Sequence, residues 1–196
     1  MNFWRAFMLM WLAVSLAGCG INNIPTYDEQ VKAAWSQVQN QYQRRADLVP
    51  NLVNTVQGFA DQEREVLVEV TEARSKVGSI QMDESILDDP EKFQQFEQAQ
   101  SQLGSALQRL MVVVERYPDL KSNQNFLTLQ AQLEGTENRI AVARRDYIQA
   151  VQQYNTEIRT FPGRIWHSVL YSELEQRENF EATTENADQA PSVNFE

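Results

Sequence analysis

Apolar residues recur with a strict seven-residue period along residues 27–80, in two seams set four positions apart. The first seam contains Val31, Val38, Arg45, Leu52, Phe59, Val66 and Ala73, and the second contains Trp35, Tyr42, Val49, Val56, Glu63, Val70 and Val77. Only Arg45 and Glu63 interrupt the apolar character of the seams. This pattern predicts one long amphipathic helix, which must bury both seams against partner helices in a left-handed supercoil.

The start and the middle of this helix carry recognisable signals. Thr26 and Glu29 have the spacing of a capping box, so the helix is expected to begin here. Pro50 removes one backbone hydrogen bond and crowds the carbonyl of Ala46. Because the seven-residue repeat keeps its register on both sides of Pro50, we expect a kink at this position rather than a break.

Two further apolar stripes predict the partner helices. The second helix is expected from Pro90, after an Asp89 cap, to about Arg116, and the third from a start between Pro118 and Asn123 to residue 161. Their stripes are Phe93, Phe96, Gln100, Leu103, Leu107, Leu110, Val114 and Tyr117, then Phe126, Leu129, Leu133, Thr136, Ile140, Ala143, Tyr147, Tyr154, Ile158 and Phe161. A short fourth helix over residues 164–176 has Ile165, Trp166, Val169, Leu170 and Leu174 on one side.

These stripes predict an all-α protein, a helical bundle of three long helices with a short fourth helix. Seven Gly and six Pro leave little room for the turns of a sheet. We expect a signal peptide over residues 1–18, a lipidated tether over 19–26, the bundle over 27–178 and a flexible acidic tail over 179–196. The tail lacks periodicity, which is typical of a mobile segment.

Composition restricts the chemistry. The net charge of −10 argues against nucleic acid or a bare anionic membrane as the main partner. The single Cys and single His exclude the common zinc and Cys/His nucleophile sites, so we expect no metal, cofactor or catalytic residue. Carboxylate pairs such as Glu134 with Glu137 offer acid and base groups, but the sequence shows no third group around them.

The N-terminus carries the most specific local signal. Arg5 precedes an apolar stretch over residues 6–15, and Leu16-Ala17-Gly18-Cys19 follows, which resembles a bacterial lipobox. This resemblance implies cleavage before Cys19 and attachment of diacylglyceryl to its thiol. The alternative is an uncleaved membrane span, but residues 6–21 fall short of the ~20 that a span needs. Gly20 in place of Asp resembles a sorting signal for the outer membrane, so we expect a lipid-anchored protein facing the periplasm.

Three longer segments resemble the LemA family over residues 27–162. They are residues 41–53 (QYQRRADLVPNLV), residues 115–121 (ERYPDLK) and residues 133–147, which contain LEGTENRIA and RRDY. The resemblance implies an up-and-down antiparallel α-helical bundle outside the cytoplasm, tethered by its N-terminus, with a TPM-domain protein as an expected partner. Many LemA proteins look like single-span membrane proteins, whereas this chain carries a lipobox.

The two charges within the seams pose a packing question. A buried Arg45 needs a carboxylate, which Glu134 or Glu137 would supply. Glu63 needs a cation, for which the candidates are Arg109, Arg116, Arg139 and Arg144. Alternatively, either side chain extends from the edge of the seam into water.

Two glycines and a histidine also need explanation. Gly104 and Gly135 within helices indicate a close helix approach, with a ligand site at Gly135 and Thr136 as the alternative. His167 is interpreted as a partly exposed helix residue.

Two functions remain after these considerations. The favoured one is a non-catalytic, lipid-anchored scaffold that holds another envelope protein through its helical faces and acidic tail. The alternative is an envelope hydrolase or cell-wall enzyme with an unfamiliar site. The sequence contains no nucleophile elbow, triad pattern, metal motif or phosphate loop, which favours the scaffold.

Overall fold

The computed structural model describes Trp4 and residues 20–60, 62–80 and 83–180. The predicted lipid site at Cys19 and most of the predicted tail, residues 181–196, lie outside the described residues. The described part of the chain is all-helical and contains no strand, in agreement with the predicted class.

Six α-helices and one short 3₁₀ helix lie between residues 20 and 180. They are α1 (Asn23–Gln57), α2 (Arg64–Ser79), a 3₁₀ helix (Glu84–Leu87), α3 (Pro90–Val114), α4 (Pro118–Lys121), α5 (Gln124–Arg159) and α6 (Gly163–Leu170).

The single helix predicted over residues 27–80 is wrong, because the chain turns back between α1 and α2. The turn begins at Gly58, and α2 then runs along α1, so that Arg74 contacts the carbonyl of Ala46. Phe59, a predicted seam residue, is exposed, and Ala60 is buried instead. A seven-residue repeat cannot distinguish one helix from two helices joined by a turn that preserves its phase.

α1 continues through Pro50, as predicted. Proline has no N–H to donate to the carbonyl four residues earlier, which belongs to Ala46. That carbonyl accepts a hydrogen bond from Arg74 Nε of α2 at 2.9 Å. A side chain of the neighbouring helix therefore replaces the hydrogen bond that Pro50 removes.

α3 begins after its predicted Asp89 cap, and α5 begins after Asn123, at the end of the range expected for its start. α1 begins at Asn23 rather than at the predicted Thr26 cap, and the Thr26 hydroxyl donates to the carbonyl of Asn22 instead. The Asp89 side chain accepts hydrogen bonds from two amides in the first turn of α3, and Asn123 does the same for α5. Contacts at both ends define the helix directions: Asn23 meets Glu157 and Arg45 meets Glu137, so α1 and α5 are antiparallel. Glu63 and Glu69 of the α2 region meet Arg116 and Arg109 of the α3 region, so this pair is antiparallel too.

The buried apolar side chains of the described residues form two clusters. The aliphatic half contains Val49, Leu52, Val56, Ala60, Leu67, Val70, Ala73, Val77, Ala99, Leu103, Ala106, Leu107, Leu110, Val114, Leu120, Phe126 and Leu133. The aromatic half contains Ile24, Val31, Trp35, Val38, Tyr42, Ile86, Leu87, Phe93, Phe96, Ile140, Ala143, Tyr147, Val151, Tyr154, Ile158 and Phe180. α1, α3 and α5 contribute to both halves, whereas α2 contributes to the aliphatic half.

The fourth predicted helix and the start of the tail differ from expectation. The helix ends at Leu170, and Ile165, Val169 and Leu170 on its predicted packing side are exposed. Residues 171–180, which we call the strap, have no regular secondary structure and lie against the helices. Phe180 is buried in the aromatic half, so the prediction of a mobile tail from residue 179 is wrong at its first two positions.

Candidate functional site

Arg45 lies in a buried polar layer between the two halves of the core. Its side chain is 5% exposed, and Nη1 donates to Glu137 Oε1 at 3.2 Å. Nη2 donates to the backbone carbonyl of Gln100 at 3.0 Å and to the side-chain oxygen of the same residue. The guanidinium also lies 4.9 Å from the centre of the Tyr42 ring. Arg45, Gln100 and Glu137 thus join α1, α3 and α5 at one level.

The carboxylate that meets Arg45 is one of the two that the sequence offered. Glu137 is 45% exposed, so solvent also reaches its side chain. Glu134 is exposed and accepts a hydrogen bond from Gln130 Nε2 at 3.0 Å. Of the candidate acid and base pair, Glu134 therefore makes a surface contact, and Glu137 belongs to the Arg45 layer.

Glu63 has partners from the α3 region. Arg116 Nη2 lies 3.1 Å from Glu63 Oε1, and the Tyr117 hydroxyl donates to the same oxygen at 3.1 Å. Arg109, another candidate, contacts Glu69 instead. Arg139 is exposed on α5. The interruption at Glu63 thus falls where the chain enters α2, and it joins α2 to the end of α3.

Arg144 connects the polar layer to the strap. Its Nη2 atom lies 3.6 Å from Glu97 Oε1, and its guanidinium lies 4.2 Å from the centre of the Phe180 ring. Burial raises the pKa of the Tyr42 hydroxyl, while the positive charges of Arg144 and Arg45 partly oppose that shift. Arg144 therefore has a role at the contact between α5, α3 and the strap.

Neither glycine within the long helices is required by a close helix approach, contrary to the prediction. Among the described atoms, a methyl group on Gly135 would meet nothing within 4 Å, and one on Gly104 would meet Arg45 Nη1 at 3.8 Å, an ordinary contact. Thr136 is buried, and its hydroxyl donates to the carbonyl of Gln132 at 2.8 Å. The Thr136 hydroxyl is thus used within α5.

A second buried arginine, Arg177 of the strap, was missed by the sequence analysis. Nε donates to Asp28 Oδ1 of α1 at 3.1 Å, and Nη1 contacts Asp88, which precedes α3. The side chains of Arg177 and Asp28 are each 7% exposed. Burial, the largest influence, lowers the pKa of Arg177, but the hydrogen bonds to both aspartates outweigh it and the net shift is upward.

The backbone of the strap is held by side chains of α5 and α6. The Tyr147 hydroxyl donates to the carbonyl of Glu178 at 2.6 Å, and the Tyr154 hydroxyl donates to that of Glu175 at 2.9 Å. Asn155 exchanges two hydrogen bonds of 3.0 Å with the backbone of Arg177. His167, half-buried on α6, has Nε2 at 2.7 Å from the carbonyl of Leu174.

The two tyrosines that hold the strap have raised pKa values. Burial raises the pKa of Tyr147 well above its usual range and raises that of Tyr154 to about 12. A buried phenolate would lose its hydration and its ability to donate to the strap carbonyl. Both hydroxyls therefore keep their protons, and hence their hydrogen bonds, under ordinary conditions.

The strap also forms one wall of an open groove of about 710 Å³ along α3. We call it the α3 groove; it is lined by Pro90, Glu91, Phe93, Gln94, Glu97, Gln98, Ser101, Gln102, Glu178 and Asn179. Three of these residues are acidic and three are glutamines, so the groove presents carboxylate and amide groups. Such a surface can accept hydrogen bonds from a basic or polar partner.

The described residues contain no group of His, Cys, Asp and Glu arranged to hold a metal ion. Within the same ranges, every helix is either too short or too polar to cross a bilayer.

Comparison with known proteins places the chain among relatives. It is 26% identical to Protein LemA of Metamycoplasma hominis, over 71% of this chain and 60% of that protein. It is 30% identical to Magnetosome protein MamQ 2 of Paramagnetospirillum magneticum, over 72% of this chain and 58% of that protein. The chain thus spans about three fifths of the length of these relatives. The sequence profile of the LemA family matches residues 34–195, and the chain belongs to the LemA family.

Proposed function

We propose that the protein is a membrane-anchored lipoprotein that acts as a non-catalytic scaffold, holding another protein of the cell envelope. Its helices would form an up-and-down bundle with the N-terminus at the membrane. Cys19 would carry the lipid, and the protein would face the periplasm, at the outer membrane.

The positions of the charged residues in the family-like segments support a structural role for those segments. Arg45 joins α1 to α3 and α5, Arg116 joins the end of α3 to Glu63 at the start of α2, and Arg144 contacts α3 and the strap. Buried or half-buried ionic contacts of this kind serve best to fix the register of helices. The residues that stand out in the sequence would thus build a rigid body on which a partner binds.

The α3 groove is the observation that carries the proposal. Carboxylate and amide groups line one open surface in this groove, beside the almost fully buried Phe93. Charge complementarity then favours a partner segment rich in Lys and Arg. The family resemblance adds a TPM-domain protein of the envelope as the first partner to examine.

The anchor is tested by mass spectrometry of the full-length protein isolated from membranes. We expect the mature chain to begin at a diacylglyceryl-modified Cys19, and Cys19→Ala to leave a precursor about 18 residues longer. An unmodified thiol at Cys19 in the mature wild-type protein would remove the lipoprotein from the proposal.

The scaffold is tested by crosslinking in membranes. Gln94→Lys with Gln98→Lys places two positive charges on exposed positions of the α3 groove, and we expect the crosslinked partner to be lost. Gln149→Lys with Gln153→Lys makes the same change at the same spacing on the exposed face of α5 and serves as the control. Equal crosslinking by both variants would place the partner elsewhere.

The contribution of the tail is tested with a chain that ends at Phe180. This end point keeps the strap, which is needed to hold Arg177 and Phe180 in place. Retention of the partner by this chain would assign binding to the helices and the strap, and loss would assign it to residues 181–196.

A further inference from the structure

α6 presents apolar side chains to solvent. The exposed fractions are 82% for Phe161, 49% for Ile165, 69% for Val169 and 51% for Leu170. We call these four residues the α6 face. Ile165 and Val169 are spaced by four residues within α6, so they lie on one side of the helix, and Phe161 lies in the turn just before it. The inward side is occupied by the half-buried Trp166 and His167.

The α6 face lies beside the point where the described chain begins. A methyl group on Gly20 would lie 3.7 Å from Pro162 Cγ, next to Phe161. The Asn23 side chain donates to Glu157 Oε1 at 3.2 Å and so holds the start of α1 against the end of α5. Cys19 is the residue before Gly20. Because α6 has eight residues, it extends only about 12 Å from this point.

We propose that the α6 face inserts into the surface of the lipid bilayer beside the anchor. This inference rests on the proposed lipid at Cys19, whose acyl chains would draw Gly20 and Pro162 to the headgroup level. The whole of α6 would then lie within reach of the interface, where an amphipathic helix buries its apolar side about 5–10 Å deep.

The charges near the α6 face fit a lipid surface. Arg159 and Arg164 are exposed on either side of Phe161, and their long side chains can reach phosphate groups while their stems lie on apolar surface. Glu157, four residues before Phe161, is held by Asn23, and the exposed Glu173 follows Leu170 by three residues. Because the chain carries a net charge of −10, zwitterionic lipid is a more suitable surface than anionic lipid.

The consequence is a fixed orientation. A lipid on a short tether leaves a protein free to tilt, whereas a second contact beside it restricts the tilt. α1 and α5, which run antiparallel from the Asn23 and Glu157 end, would then stand out from the membrane, and α1 alone is about 50 Å long. The α3 groove would be held at a defined height for its partner.

The test uses the full-length lipidated protein in phosphatidylcholine vesicles. The chain has one Cys, whose thiol the lipid would occupy, so Val169→Cys provides a free thiol for an environment-sensitive fluorophore. Val112→Cys is the control, because Val112 is 71% exposed and lies on α3 next to the aliphatic half. We expect a blue shift, and loss of roughly half the emission to brominated lipid, at position 169 but not at 112.

The outcomes separate this inference from the proposed anchor. An unmodified Cys19, seen by mass, overturns the anchor. A lipidated protein whose probe at position 169 behaves like the one at 112 overturns the bilayer contact alone. Disulfide formation between the Val169→Cys positions of two copies would assign the α6 face to a second copy, and would also overturn the inference.

Discussion

The two halves of the core are closed in different ways. In the aliphatic half, α2 packs beside α1 and α3, and branched side chains of these helices and of α5 fill the space between them. In the aromatic half α2 is absent, and the 3₁₀ helix and the strap supply Ile86, Leu87 and Phe180. Large rings, including Trp35 and Tyr147, fill the wider space there. Regular helix packing and an irregular cover can therefore complete the same set of long helices.

The buried arginines differ in the same way. Arg45 joins helices, and its carboxylate partner Glu137 is 45% exposed. Arg177 joins the strap to α1 and to Asp88, and its partner Asp28 is 7% exposed. Removing a partner from a fully buried pair is more costly than removing one that water can replace. The aromatic half should therefore be the more sensitive of the two to charge removal.

The largest effect is expected for Arg177→Met. This change leaves Asp28 buried with only Lys32, whose Nζ lies 3.1 Å from Oδ2, and should lower the free energy of unfolding by about 3 kcal/mol. Urea unfolding followed by circular dichroism measures it. Arg139→Met, the same change at an exposed position of α5, is the control and should stay within ~0.5 kcal/mol. Equal effects of the two changes would contradict the account of the strap.

The Arg45 layer should respond asymmetrically. Glu137→Leu leaves the buried guanidinium with Gln100 and the Tyr42 ring, and should cost about 2 kcal/mol, whereas Arg45→Met releases a half-exposed carboxylate to water and should cost about 1 kcal/mol. The double variant should lose less unfolding free energy than the two single variants added together, and a double-mutant cycle in urea measures the difference. A larger loss for Arg45→Met than for Glu137→Leu would mean that Glu137 is effectively buried.

The smallest effect concerns alkaline pH. Burial raises the pKa of Tyr154 from 10.0 to about 12, so between these values the unfolded chain releases a proton that the folded chain retains. This contribution to stability is complete below pH 10 and is lost as the pH rises through 12. Tyr154→Phe should therefore reduce the loss of unfolding free energy between pH 10 and pH 12 by about 1 kcal/mol. An unchanged pH slope in urea titrations would show that this hydroxyl is accessible to water.

Much of the helical structure could be predicted from periodicity and caps. Asp89 caps the helix that was expected to follow it, α5 begins within its expected range, and Arg45 meets one of its two proposed partners. These features depend on neighbours in sequence or on seams with a fixed period. The turn at Gly58 could not be predicted, because the repeat resumes in phase beyond it.

The strap could not be predicted, because it has no period. Its contacts use backbone carbonyls, such as those of Glu175 and Glu178, which carry no sequence signal. One clue was present: Arg177 and Phe180 are a cation and an aromatic ring within an otherwise acidic, polar stretch. Disordered segments contain few aromatic residues, so Phe180 indicated that this stretch packs against the helices.

The strap also has a consequence for the rates of folding and unfolding. Arg177 and Asp28 are 149 positions apart, so their contact closes nearly the whole described chain, whereas the hairpin of α1 and α2 is local. Contacts that close so long a loop form late, and weakening them speeds unfolding more than it slows folding. We therefore expect the lifetime of the folded protein in the presence of a protease to depend on these ten residues, even though the helices supply most of its core.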